Sequence, residues 1–187
     1  MPARGRILSF FIWVEGTAVS VWIRESPSIF GFPFILYLHT LGLAMIAGLS
    51  SAIALSLLML RSPPRAALWR GAFRLIWVGL GINVVSGLAL LSAYPAKALT
   101  NPVFYAKMLA IAAAVGIVSW LERQLAPRGA AALATAGAPS QATAAGATLA
   151  QRRAALALLA LWLVATVTGR LLAYTHTILM ARDAQFY

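Results

Sequence analysis

The chain has 187 residues, of which 61% are hydrophobic and only 10% charged, where an ordinary soluble domain carries roughly a quarter charged residues. Fifteen Lys and Arg against four acids give a net charge of +11, and there is no cysteine, which excludes disulfides, thiolate-bound iron–sulfur clusters and haem attached through cysteine. So little charge cannot cover a soluble bundle. The chain therefore reads as a single all-α integral membrane domain over 1–187, with anionic lipid headgroups rather than nucleic acid as its polyanion.

At the N-terminus, Ile7 to Ile23 reads as an amphipathic helix lying in the membrane interface. Ser9, Trp13, Gly16, Thr17, Ser20 and Arg24 share one side, while Ile7, Phe11, Val14, Ala18 and Trp22 share the other. A short fifth span is the alternative, and Glu15 near its middle argues against it. After the break at Glu25-Ser26-Pro27-Ser28 and Pro33, residues 34–60 form an apolar run. At 1.5 Å per residue such a run is about 40 Å long, more than a roughly 30 Å hydrocarbon core requires.

That first span stops at the basic, proline-containing loop Arg61-Ser62-Pro63-Pro64-Arg65. A second span covers 68–93 and ends at Tyr94-Pro95. The third covers 102–125, with Thr100 or Asn101 as its cap and Pro102 in its first turn. Residues 127–150, rich in Ala, Gly, Thr and Ser, read as a flexible cytoplasmic loop, and the fourth span covers 152–182.

Four spans imply an up-down-up-down bundle. Arg61, Arg65, Arg70 and Arg74 surround the first connection and Arg123, Arg128, Arg152 and Arg153 the third, whereas the second has only Lys97 and Lys107. By the positive-inside rule the arginine-rich connections face the cytoplasm, and the C-terminus faces the periplasm across a bacterial inner membrane.

Ionisable residues inside a membrane are functional-site candidates. His39 and His176, the two histidines of the chain, each lie about 10 Å from the outer end of their expected span. Level imidazoles on the first and last helices have the geometry of the axial ligands of one b-type haem. Gly42 below His39 and Gly169 two turns below His176, each on its histidine's helical face, leave room for a flat ligand, although small residues at this spacing also serve plain helix packing. Two structural histidines, or a copper site completed by Met180, remain as alternatives.

Arg170, expected near midplane, is too deep to snorkel and should face the interior with Asn83 as a neutral partner. There it would anchor a propionate, a quinone oxygen or a carboxylate, or simply close a buried polar cluster. Lys107, with Tyr105, Tyr94, Tyr37 and Tyr174, forms a candidate rim at the histidine level, and is the better placed cation for outward-pointing propionates.

The run from Glu25 to Pro33, followed by Leu36-Tyr37-Leu38-His39-Thr40-Leu41-Gly42-Leu43-Ala44, resembles the start of a family of uncharacterised bacterial four-span membrane proteins. In that family a first-span His-x-x-Gly is followed by a late histidine. The layout is more distantly similar to b-type cytochrome membrane domains and to copper-resistance-D-like membrane proteins. The resemblance implies His39 and His176 as candidate ligands. No nucleophile, paired carboxylates or phosphate-cradling loop is present, so a self-contained catalytic site has almost no material. The expected role is a haem-binding subunit that passes electrons to a redox partner or quinone. A non-redox accessory subunit of a larger complex and a copper or small-solute carrier are the alternatives.

Overall fold

The computed structural model describes residues 13–59, 66–134 and 147–183; the side chains of 66–68, 96–97, 126–134 and 173–183 lie outside that description. Six helices are assigned there: α1 Ala18–Glu25, α2 Phe32–Met59, α3 Ala66–Ala93, α4 Pro95–Leu99, α5 Pro102–Ala134 and α6 Leu149–Asp183. Four of them, over Phe32–Met59, Trp69–Ala93, Pro102–Leu125 and Leu149–Leu172, are long and apolar enough to cross a membrane. Each shows apolar side chains outward as well as inward: Leu36, Leu41 and Leu55 of α2 are exposed while Ile46, Ile53 and Leu57 are buried. A helix that is apolar all round suits lipid, where the packed face is chosen by shape rather than by polarity.

Each boundary has a local cause. Asn101 caps α5, its Oδ1 accepting from the Val103 N–H at 2.9 Å, and Pro102 occupies the first turn, where a missing N–H costs nothing. Thr148 and Gln151 form a reciprocal capping box at the start of α6: the Thr148 N–H donates to Gln151 Oε1 at 3.0 Å, and the Gln151 N–H to Thr148 Oγ1 at 3.2 Å. That pair starts the helix at Leu149, three residues before the expected position.

Two expectations change. The amphipathic helix expected over 7–23 is interrupted by a turn at Gly16-Thr17 and resumes as α1, which continues to Glu25; its first residues, 7–12, lie outside the described ones. The Thr17 hydroxyl donates to Val14 O at 2.8 Å and accepts from the Ser20 N–H, so one side chain ends one turn and caps the next. The loop expected to begin at Pro127 is also shorter, because α5 runs on to Ala134. A single proline removes one backbone hydrogen bond, and the run Ala130–Ala134, four of whose five residues are alanine, favours helix strongly.

α1 docks on the end of α3, where Arg24 Nη1 donates to Ala93 O at 3.5 Å. Its buried residues are Ser20 and Ile23, whereas Val19 and Trp22 are exposed, so one small polar and one apolar residue face protein while other apolar residues face outward. The apolar core is densest towards the far end of α2 and the start of α3, where Ile46, Ile53, Leu57, Phe73 and Ile76 meet Leu121 and Leu158. His39 stands clear of this core, one turn or more nearer the start of α2.

Candidate functional site: the polar layer at His39

The contact between α2 and α3 is made by backbone. A Cβ on Gly42 would stand 2.8 Å from both Asn83 N and Gly79 O, and one on Gly79 would stand 2.7 Å from Met45 Cβ. Two helices can approach this closely only where side chains are missing. Gly42, expected to open space for a ligand, is instead filled by α3.

Polar groups join the same two helices just above these glycines. Asn83 Nδ2 donates to the backbone carbonyl of His39 at 2.8 Å, an acceptor left available by its second lone pair. In return His39 Nδ1 lies 3.2 Å from the Asn83 carbonyl and 3.2 Å from Ser86 Oγ. The Ser86 hydroxyl donates to Ile82 O at 2.6 Å. Beneath the ring lies Gly87, where an added Cβ would be 3.1 Å from His39 Cε1. Paired contacts ascend α2 while descending α3, so these two helices run antiparallel here.

This arrangement fixes the imidazole tautomer. A backbone carbonyl can only accept, and Ser86 has already committed its proton, so the proton of a neutral His39 ring belongs on Nδ1. Nε2 then carries a lone pair and, among the described residues, has no hydrogen-bond partner. An Nδ1–H held by a main-chain carbonyl with Nε2 left bare is the state in which histidine ligates a metal.

Lys107 of α5 lies within electrostatic reach of His39. Its side chain passes over Gly169 of α6, whose Cβ, if present, would stand 3.8 Å from Lys107 Cε. His39 of α2, Asn83 and Ser86 of α3, Lys107 of α5 and Gly169 of α6 therefore lie near one level of the bundle.

The contact between Lys107 and Gly169 also sets the register of α6. Lys107 is five residues from the start of α5, so Gly169 is about 8 Å inside that end. His176 is seven residues beyond Gly169, about 10 Å further along α6, so its backbone is offset by that distance from the layer of Lys107 and Gly169 rather than level with it as expected. Its side chain, like those of Tyr174 and Met180, lies outside the described residues.

The same register relocates Arg170. It was expected near midplane and facing inward with Asn83, but it is exposed and adjoins Gly169, within snorkelling reach of the end of α5. The buried line of α6 runs through Ala155, Leu158, Trp162 and Ala165, and Arg170 lies well off it around the helix. Asn83 is engaged instead by His39. Tyr105 is turned to its own helix end, its hydroxyl donating to Leu99 O at 2.9 Å.

Sequence reasoning passed over Ser86 and Gly87 as partners of His39 and Gly79 as partner of Gly42. Their signal was the small and polar spacing Gly79, Asn83, Ser86, Gly87 on one face of α3. It also missed the indole N–H of Trp162, which is buried with no hydrogen-bond partner among the described residues. Among those residues no group of three or more His, Cys, Asp or Glu is arranged to hold a metal. No protein-family model, curated protein or solved structure matches the chain.

Proposed function

We propose that this is an inner-membrane protein with up-down-up-down topology and a periplasmic C-terminus that binds one b-type haem near the outer face. His39 and His176 would be the axial ligands. The chain would serve as an anchor or electron-transfer subunit beside a redox partner, a larger complex or the quinone pool. The observation that carries this reading is the His39 ring, held through Nδ1 by the Asn83 carbonyl with Nε2 left as a bare nitrogen donor.

Haem supplies reversible one-electron chemistry. The chain's own residues would bind and orient it: His39 directs Nε2 from a ring that α3 holds in place, and Gly169 lets the Lys107 side chain lie across α6. The Lys107 ammonium suits an anionic propionate. Gly42 has no ligand role in this reading, and exposed Arg170 would meet a lipid phosphate or a partner rather than the haem. One haem near one face cannot carry charge across the bilayer, so the reading includes a second carrier.

A second reading rests on the clasp itself. Gly42, Gly79, Asn83 and His39 complete a helix contact with no ligand, which is what a non-redox accessory subunit needs. Visible spectra of the purified protein, oxidised and dithionite-reduced, separate the two readings. The haem reading expects a sharp reduced α-band that His39→Ala abolishes and that His176→Ala abolishes or converts to a five-coordinate, high-spin spectrum. A folded protein that stays colourless after haem reconstitution overturns it. A haem spectrum unchanged in His176→Ala removes that residue as ligand.

A further inference from the structure

At the end of the bundle away from the His39 layer, α5 and the first turns of α6 part to leave a groove of about 410 Å³. Ala113, Gly116, Ile117 and Trp120 line one side and Ala150 and Ala154 the other. The α5 residues recur at intervals of three and four and so form one continuous face. Gly116 has nothing within 4 Å of a built Cβ, so at that point the groove is open rather than closed by a neighbouring side chain.

Charge marks one end of this apolar slot. Arg123 lies two turns beyond Gly116 on almost the same line of α5, and Arg153 flanks Ala150 and Ala154 on α6; both are exposed. Their nearest acid, Glu122, is turned towards α3, where its carboxylate accepts from Trp77 Nε1 at 2.9 Å. Among the described residues neither arginine is in an ion pair. Exposed Trp120 stands between the apolar and charged parts, the position of an aromatic at a headgroup boundary.

We infer that this groove is a binding site for one anionic phospholipid, with an acyl chain along Ala113, Gly116 and Ile117 and the phosphate between Arg123 and Arg153. A linear apolar slot is the shape of an acyl chain, and two arginines with no acidic partner are the complement of a phosphate. A neutral or zwitterionic lipid would satisfy the slot and leave the net positive charge uncompensated. The site is independent of the haem reading, since no groove residue belongs to the His39 layer.

Native mass spectrometry of the detergent-purified full chain, given equimolar phosphatidylglycerol and phosphatidylcholine with matched acyl chains, tests this. Preferential retention of phosphatidylglycerol is expected, with the preference falling about fivefold in each of Arg123→Gln and Arg153→Gln. Gly116→Leu, whose side chain has room to fill the slot without disturbing the fold, should abolish the adduct. Gly81→Leu, also at an open glycine, and Arg70→Gln, also an exposed arginine, should leave it intact. Equal retention of the two lipids overturns the proposal. So does an adduct that survives Gly116→Leu in protein whose thermal unfolding matches the wild type, or one lost equally in Arg70→Gln.

Discussion

The two tightest helix pairs in this molecule are held by different means. Between α2 and α3 the backbones touch at Gly42 and Gly79, and Asn83, Ser86 and His39 lock one relative position by hydrogen bonds. Between α5 and α6 the buried faces are Ala114, Val118, Leu121, Ala155, Leu158 and Ala165, with no hydrogen bond between the helices among the described residues. The first contact specifies register and holds the His39 ring. The second supplies packing, with Lys107 lying over Gly169 near one end, and parts at the other end into a groove. The His39 ring is on the pair whose register is fixed by hydrogen bonds.

Substitutions can break that contrast, starting with the strongest. Gly42→Leu puts side-chain atoms where the α3 backbone already lies, and backbone cannot rotate away as a side chain can; destabilisation of about 3 kcal/mol or more is expected. Thermal unfolding in detergent measures it, and a near-native melting temperature would show that the helices can part cheaply. In the apolar seam, Leu158→Ala leaves a cavity that costs lost packing, about 2 kcal/mol. If it proved more damaging than Gly42→Leu, the ranking of the two contacts would be reversed. The smallest effect concerns the clasp. A double-mutant cycle on His39→Phe and Asn83→Leu should return a coupling of about 1 kcal/mol, in the range of interhelical polar pairs in membrane proteins. Additive single effects would mean that the two residues stabilise the helices separately.

Helix positions were largely legible in the sequence because long apolar runs bounded by proline and basic residues leave few alternatives. The observed α2 and α3 start within two residues of the runs beginning at Phe34 and Leu68. The faces were less legible. In a soluble helix polarity marks the buried side, but Leu36 and Ile46 of α2 are equally apolar and only one is buried. Arg170 shows the consequence: its depth was counted from Asp183, the end of α6, although the register is set by the contact of Lys107 with Gly169 in the middle. His39 and Lys107 were legible as unusual residues in apolar runs. Their partners Ser86 and Gly87 were not, because serine and glycine are common in membrane helices and become informative only when a specific neighbour is opposite.

Gly87 beneath the His39 ring carries one further implication. A Cβ at that position would stand 3.1 Å from His39 Cε1 and would make the ring shift by a few tenths of an ångström, so the glycine lets the imidazole lie against α3 while Asn83 and Ser86 orient it. A metal or cofactor meeting Nε2 would not have to immobilise a rotating side chain first, and the entropy of ordering that donor is already lost in folding. The affinity of such a site would depend on the integrity of a helix pair whose closest contact lies a full turn away from the ligand, at two glycines that never touch it.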